Sequence, residues 1–263
     1  AALAGCDRVV HTAAIVSDWG PMADFVRVNV EGTRNVLDAA AAAGAARVVC
    51  LASVAVWGYR FEGEMPEDAP PRPCGMPYID TKGAAEVLAL ARGATVVRPG
   101  DVYGPGSVPW TIRPLEAMRS GAFRLPGRGD GLMTPVYVDD LVDAIVRALF
   151  HPAAAGRAYT VWDGEAVSAR DFFSHHARML GRDAPPSLPR PLVAGAALTL
   201  EAVARVRRRP PSVSRAALTY ISRRGTYPNT RAREELGWQP EVGLAEGMRR
   251  TEAWARGAGL LDG

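Results

Sequence analysis

Two short apolar runs mark the first part of the chain. Arg8-Val9-Val10-His11 ends in the small residues Thr12-Ala13-Ala14, and Arg47 to Leu51 is almost wholly apolar. Runs of this length bounded by small or turn-forming residues read as buried parallel strands. Between them Asn29, Thr33, Val36 and Ala40 recur at helical spacing, and Gly44 stands where a helix C-terminus needs a residue free to turn. A second helix is predicted from Pro77, which is tolerated in a first turn, through Ala91. A third strand follows over Ala94 to Arg98 and stops at Pro99-Gly100. Strand and helix alternate, which predicts an α/β fold with a doubly wound parallel sheet of Rossmann type.

Beyond Gly104 the pattern shortens into segments punctuated by proline and glycine, with helices over Asp139 to Phe150 and Ser168 to Leu180. Residues 1–104, with 136–150 returning to them, are assigned to a dinucleotide-binding domain, and 105–263 mainly to a smaller α+β substrate lobe. The apolar stretch Leu192 to Val206 ends in Arg205-Val206-Arg207-Arg208-Arg209. It reads first as a core helix of that lobe, with a substrate lid or an interfacial helix on anionic lipid as alternatives. Ala1 to Cys6 resembles a helix end running into a strand. A complete nucleotide-binding half needs roughly 60 more residues at about 30 per βαβ unit, and no glycine-rich turn precedes Arg8. The expectation is therefore an N-terminally incomplete sheet with weak cofactor binding.

Composition narrows the functional classes. At 263 residues with a formal net charge of +3, acidic residues interspersed among the basic ones argue against a nucleic-acid groove. Small molecules are the expected partners. No run approaches the roughly 18 apolar residues of a membrane span, so a soluble cytoplasmic protein is expected, with room for peripheral membrane contact and for a homodimer. Cys6, Cys50 and Cys74 are far apart and lack ligand spacing, and His175-His176 reads as a solvated helix face without a third ligand, so no metal is expected.

One count changes the picture: Lys82 is the only lysine among many arginines. Lysine and arginine differ most where a compact ammonium must fit a tight hydrogen-bonding site. Tyr78 lies four residues before it, on the same predicted helical face. A phenol beside a cation is a recognisable acid/base device, because the cation favours the phenolate. Ser53 follows the strand ending at Leu51, at the sheet edge where open α/β folds bind ligands; a hydroxyl there can donate to an oxygen as charge develops on it, or serve only as a turn residue.

Together these motifs resemble the extended short-chain dehydrogenases, the NAD-dependent epimerase/dehydratase group. Val9 to Ala14 is similar to the strand passing under the cofactor, Asn29-Val30-Glu31-Gly32-Thr33 to the helix whose asparagine supports the active site, and Leu51-Ala52-Ser53 with Val56-Trp57-Gly58 to the catalytic-serine strand. Tyr78 to Lys82 matches the Tyr-x-x-x-Lys pair, and Arg98 to Gly106 the segment passing the nicotinamide. Val136 to Leu141 and Leu236-Gly237-Trp238-Gln239-Pro240 resemble late motifs of the group. The resemblance implies catalysis by Ser53, Tyr78 and Lys82, with NAD or NADP against Ala13, Ala14, Asn29, Tyr78, Lys82, Pro99, Gly100 and Val102, and substrate near Val54, Trp57, Tyr103 and Met133. In that scheme Lys82 holds the ribose hydroxyls and lowers the pKa of Tyr78.

Sugar-nucleotide members carry a basic residue just before the Val136 motif, where this chain has Met133-Thr134-Pro135. The segment Leu188 to Tyr227 more closely resembles the 3β-hydroxysteroid dehydrogenase-like branch. The leading expectation is thus an oxidoreductase for a hydrophobic, sterol-like hydroxy or keto substrate. A sugar-nucleotide epimerase or dehydratase is the first alternative, and a truncated homologue with only an interaction role the second.

Overall fold

The computed structural model describes residues 2–207, 209–211 and 213–261. Ala1 and Arg208, named in the sequence readings, lie outside the described residues. Strand β1 (Arg8–His11) leads through a loop and a π-helical segment (Val26–Glu31) into α1 (Gly32–Ala42), and β2 (Arg47–Leu51) follows. A short strand β3 (Glu62–Glu64) precedes α2 (Pro77–Ala91), which keeps proline in its first turn as anticipated. Next come β4 (Thr95–Pro99), β5 (Asp101–Tyr103), β6 (Pro135–Tyr137), α3 (Val138–Phe150) and β7 (Ala158–Val161). The C-terminal part carries α4 (Ala169–Met179), α5 (Arg190–Arg207), α6 (Arg215–Ile221), β8 (Arg224–Thr226), α7 (Thr230–Leu236) and α8 (Leu244–Gly257).

The main sheet has the order β1-β2-β4-β7, all parallel, with Val9 opposite Val48, Cys50 opposite Val96 and Val97 opposite Tyr159. Alternation along the strands sends Val49, Val97 and Tyr159 into a core with Leu141, Ala144 and Ile145 of α3, and Cys50 and Val96 into a second core with Leu37 of α1 and Ala89 of α2. Both faces are covered, which is why the inner strands are apolar runs and not alternating ones. The fold is a Rossmann-type α/β sheet with helices on either side. The fourth strand, Ala158–Val161, was assigned by sequence to the C-terminal lobe. Four residues without a clear turn signature carry too little pattern to be placed, and only pairing with β4 locates them.

The two late motifs meet in space. Asp140, buried near the start of α3, accepts the backbone N–H groups of Glu241 and Val242, both at 3.1 Å, while its carbonyl takes the indole N–H of the wholly buried Trp238 at 2.9 Å. Gly237, with φ +61°, makes the left-handed turn that ends α7 and delivers Trp238 to that site.

Two sequence expectations are corrected here. His176 is not solvated: its ring is fully buried, facing the Trp110 carbonyl at 2.8 Å and the Phe172 carbonyl, and burial holds its pKa down to about 4. Its neighbour His175 remains half-buried, because adjacent helical residues point about 100° apart. Nor is α5 a core helix. It buries only the narrow stripe Val193, Ala197, Glu201 and Ala204 and exposes most of its large apolar side chains.

Candidate active site

The carboxyl ends of β1 and β2 and the first turns of α2 converge on one point of the sheet edge. Ser53 leaves β2 in an extended conformation, and its Oγ accepts the Ala55 N–H at 3.1 Å, capping the short helical turn Val54–Trp57. The same hydroxyl lies close enough to the phenol of Tyr78 to act on its pKa. The turn role of Ser53 is realised in that cap, and its place beside the phenol leaves it at the sheet edge where a substrate oxygen was expected.

Tyr78 is partly covered, and its pKa is raised above the ordinary phenol range, mainly by loss of water around the hydroxyl. The neighbouring Ser53 hydroxyl opposes that rise and the Asp18 carboxylate adds to it. This corrects the expectation that Lys82 would lower it. The Lys82 ammonium is buried and donates to the Leu51 carbonyl at the end of β2. Burial lowers its pKa to about 8, against the favourable influence of Cys50 and Glu86. Four-residue spacing puts two side chains on one helical face, but it does not set where the end of a flexible four-carbon stem comes to rest.

Asn29 joins the pieces. Its Oδ1 accepts the Ile15 N–H at 2.7 Å, and its Nδ2 donates to the Ile15 carbonyl at 3.3 Å and to Thr81 Oγ1 at 3.0 Å. Ile15 lies on the loop after β1, and Thr81 sits between Tyr78 and Lys82 on α2. One buried amide thus ties the β1 loop to the helix carrying both candidate catalytic groups. It projects from a π-helical segment, a distortion frequent at functional sites. Thr81 was not singled out from sequence, since nothing in a threonine within a helix marks its partner 52 residues away.

The other sequence candidates divide. Ala13 and Ala14 follow β1 at the same sheet edge, exposed and half-exposed. Pro99 ends β4 and is buried. A side chain on Gly100 would meet the Thr134 carbonyl at 2.2 Å, so a close backbone approach between β5 and the chain before β6 requires glycine there. Val102 packs half-buried against the α3 core. The four substrate candidates all lie inside cores. Val54 is buried in its turn, and Trp57 donates to the Ala69 carbonyl at 2.8 Å between the Tyr227 ring and the Arg98 guanidinium. Tyr103 and Met133 pack with Leu115 and Phe172. A cavity elsewhere on the surface is lined by none of the four.

That cavity, about 490 Å³ and open to solvent, lies between the segment after the turn at Ser53 and helices α5 and α6. Its walls include Tyr59, Phe61 and Leu218, with Arg60, Arg190, Arg223 and Arg224. Ser53 and Tyr78 do not line it; Tyr59, which clusters with Ala55, Ile79, Tyr78 and Tyr220, is common to both places. The run Tyr59-Arg60-Phe61, directly after Trp57-Gly58, was the signal available in the sequence for this wall.

Three of the cleft's arginines are already paired. Arg223 donates to Asp101 at 2.6 Å with both side chains wholly buried, and Arg190 and Arg224 both reach Asp130, at 2.6 and 2.9 Å. The Tyr220 hydroxyl also donates to Asp101, and the Arg223 guanidinium lies 4.0 Å over the Tyr220 ring.

The profile of the NAD dependent epimerase/dehydratase family matches residues 1–161. The chain belongs to that family. Among epimerase/dehydratase relatives, UDP-glucose 4-epimerase of Mycolicibacterium smegmatis (strain ATCC 700084 / mc(2)155) is 35% identical over 265 residues, covering 94% of this chain and 75% of its own. The 2-alkyl-3-oxoalkanoate reductase of Stenotrophomonas maltophilia (strain K279a) is 29% identical over 272 residues, covering 96% and 81%. In structure the chain resembles MoeE5 in complex with UDP-glucose and NAD, with a TM-score of 0.75 and 27% identity over 97% of this chain and 81% of that one.

A nicotinamide cofactor of this family can be tested against the residues present. An ammonium has three N–H donors, and Lys82 gives one hydrogen bond, to Leu51, at a buried position on the ligand-binding sheet edge. Two donors remain for a pair of neighbouring hydroxyls, which fits a ribose. Among the described residues no helix is long and apolar enough to cross a membrane.

Proposed function

We propose that this protein is an NAD(P)-dependent oxidoreductase that reduces a carbonyl, or oxidises the corresponding alcohol, on a small substrate of apolar character. Ser53, Tyr78 and Lys82 carry the reaction. The observation behind this reading is the juxtaposition of the Ser53 and Tyr78 hydroxyl groups beyond the carboxyl end of β2, close enough for the serine to act on the phenol's pKa.

The nicotinamide, when bound, supplies or accepts the hydride, and the two remaining Lys82 donors are the groups that would hold its ribose. Tyr78 moves the proton. Its raised pKa keeps the phenol protonated at neutral pH, the form needed to protonate a carbonyl oxygen as hydride reaches the carbon. Ser53 donates to the same oxygen and favours the charge that builds there. In the oxidation direction the same phenol must first lose its proton, so its burial favours reduction. Asn29 positions Tyr78 by holding α2 to the β1 loop through Thr81. The free thiols of Cys6, Cys50 and Cys74 fit a reducing compartment such as the cytoplasm.

Support for an apolar substrate comes from the cleft. Tyr59, Phe61 and Leu218 form its apolar wall, while Asp101 neutralises Arg223 and the single carboxylate of Asp130 is shared by Arg190 and Arg224. The 35% identity to a UDP-glucose 4-epimerase supports the alternative of a sugar nucleotide. Absorbance of reduced nicotinamide separates the two: a keto sterol or long-chain keto acid should consume it, whereas epimerisation leaves it unchanged overall. Tyr78→Phe should lower kcat by at least about 10²-fold with little change in cofactor affinity. Wild-type turnover in that variant would remove Tyr78 from the mechanism.

A further inference from the structure

Helix α5 has two faces that a globular interior does not explain. Val193, Ala197, Glu201 and Ala204 form its buried stripe. On the outer side Leu192, Val203 and Val206 are 61, 40 and 85% exposed, and Leu200, 37% exposed, borders the buried stripe. At 1.5 Å per residue the outer three lie along one side of the helix as an apolar ridge about 20 Å long. Single exposed apolar residues are ordinary on a protein surface; an aligned ridge of them marks a face that meets something.

The charges around the ridge decide what it meets. Glu201 is the only acid in the helix, and it is buried, accepting from the Arg215 backbone at 2.7 Å and side chain at 2.9 Å. The exposed side of α5 therefore carries no negative charge. Arg205 and Arg207 lie in its last turn, and Arg209 follows just beyond. We propose that this face of α5 docks on the surface of an anionic lipid bilayer, lying in the interface and not crossing it. An apolar ridge bordered by cations suits that environment: leucine and valine enter the acyl boundary while the guanidinium groups stay among anionic headgroups. A second copy of the chain suits it less well, because α5 offers no exposed carboxylate to receive the partner's Arg205 and Arg207.

The first turns of α5 also supply Arg190 and Ala194 to the wall of the cleft. A docked α5 thus sets the cleft beside the bilayer, where an apolar substrate concentrates. That consequence rests on the substrate class proposed above; the docking itself does not.

The test is sedimentation of the protein with vesicles of phosphatidylcholine alone and with added phosphatidylglycerol. Wild type should bind the anionic vesicles and be released by salt. Neutralising the three cations as Arg205→Gln, Arg207→Gln and Arg209→Gln should lower the partition coefficient on the order of 100-fold, from about 1 kcal/mol per basic residue. Val203→Glu with Val206→Glu should abolish binding without lowering Tm, since both side chains are exposed. Absence of wild-type binding, equal binding to both vesicle types, or binding that survives both variants would overturn the proposal. So would a wild-type dimer, seen by light scattering, that the glutamate variant splits while vesicles are ignored. Turnover of a sugar nucleotide alongside intact vesicle binding would instead refute the apolar-substrate reading and leave the docking in place.

Discussion

Asp101→Asn removes one charge from the best-buried ionic contact among the described residues while changing its shape very little. In the wild type one carboxylate oxygen accepts Arg223 Nη2 at 2.6 Å and the Thr134 N–H at 2.7 Å, and the other accepts the Tyr220 hydroxyl. Arg223 has little else: Nη2 also reaches Thr134 Oγ1 at 3.1 Å, Nη1 reaches the Tyr220 carbonyl at 3.4 Å, and Nε has no partner. The variant leaves a guanidinium without a counter-charge in a fully desolvated place. Breaking a buried pair from one side costs about 3–5 kcal/mol, a large part of a total stability of about 5–15 kcal/mol. With a urea m-value of about 1–3 kcal/mol per molar, the unfolding midpoint should fall by roughly 1–5 M. Tryptophan fluorescence in urea measures it. Removing both charges, as Asp101→Leu with Arg223→Met, should cost less than either single change, because no charge is left stranded. Hydrogen exchange should quicken first over 215–226, which this contact holds to β5 and which lines the cleft. A loss below about 1 kcal/mol for Asp101→Asn, or a double variant no better than the singles, would refute the account.

Two further outcomes are expected. Lys82→Arg retains charge but must place a larger planar head beside a cavity of only about 10 Å³ lined by Thr33, Cys50, Ala85 and Glu86; overpacking should cost about 1–3 kcal/mol, and turnover should fall with it. Calorimetry and steady-state rates indistinguishable from wild type would show that a generic cation suffices at that position. Asp163, next to β7, has its pKa raised from 3.8 to about 8, first by burial and then by the Asp140 carboxylate, with the Tyr137 backbone opposing. The folded state then binds this proton more tightly than the unfolded chain, so the stabilisation is complete below about pH 4 and lost as pH rises toward 8. Asp163→Asn should flatten that decline and raise Tm at pH 8 relative to wild type, and a Tm profile parallel to wild type from pH 4 to 8 would show that Asp163 ionises normally.

Local pattern determined the first three strands of the sheet and the helices between them on its own. Runs read at 8–11, 47–51 and 94–98, with helical spacing between them, suffice to specify parallel strands and crossovers, because the physics involved is nearest-neighbour burial and backbone punctuation. Tyr78, Lys82 and Ser53 were equally legible, since their residue types, spacing and position after a strand are linear properties. What the linear record lacked was direction and partnership. Four-residue spacing brought Tyr78 and Lys82 to one side of α2, yet burial and the Leu51 carbonyl, supplied by another element, decided that the phenol's pKa rises and where the ammonium points. Apolar character alone could not distinguish Tyr103 and Met133, sealed in a core, from Tyr59 and Phe61, which open onto the cleft. Helix α5 reads as a core helix because hydrophobicity is a property of the side chain, whereas exposure depends on how much other protein is there to cover it, and only the tertiary structure decides that.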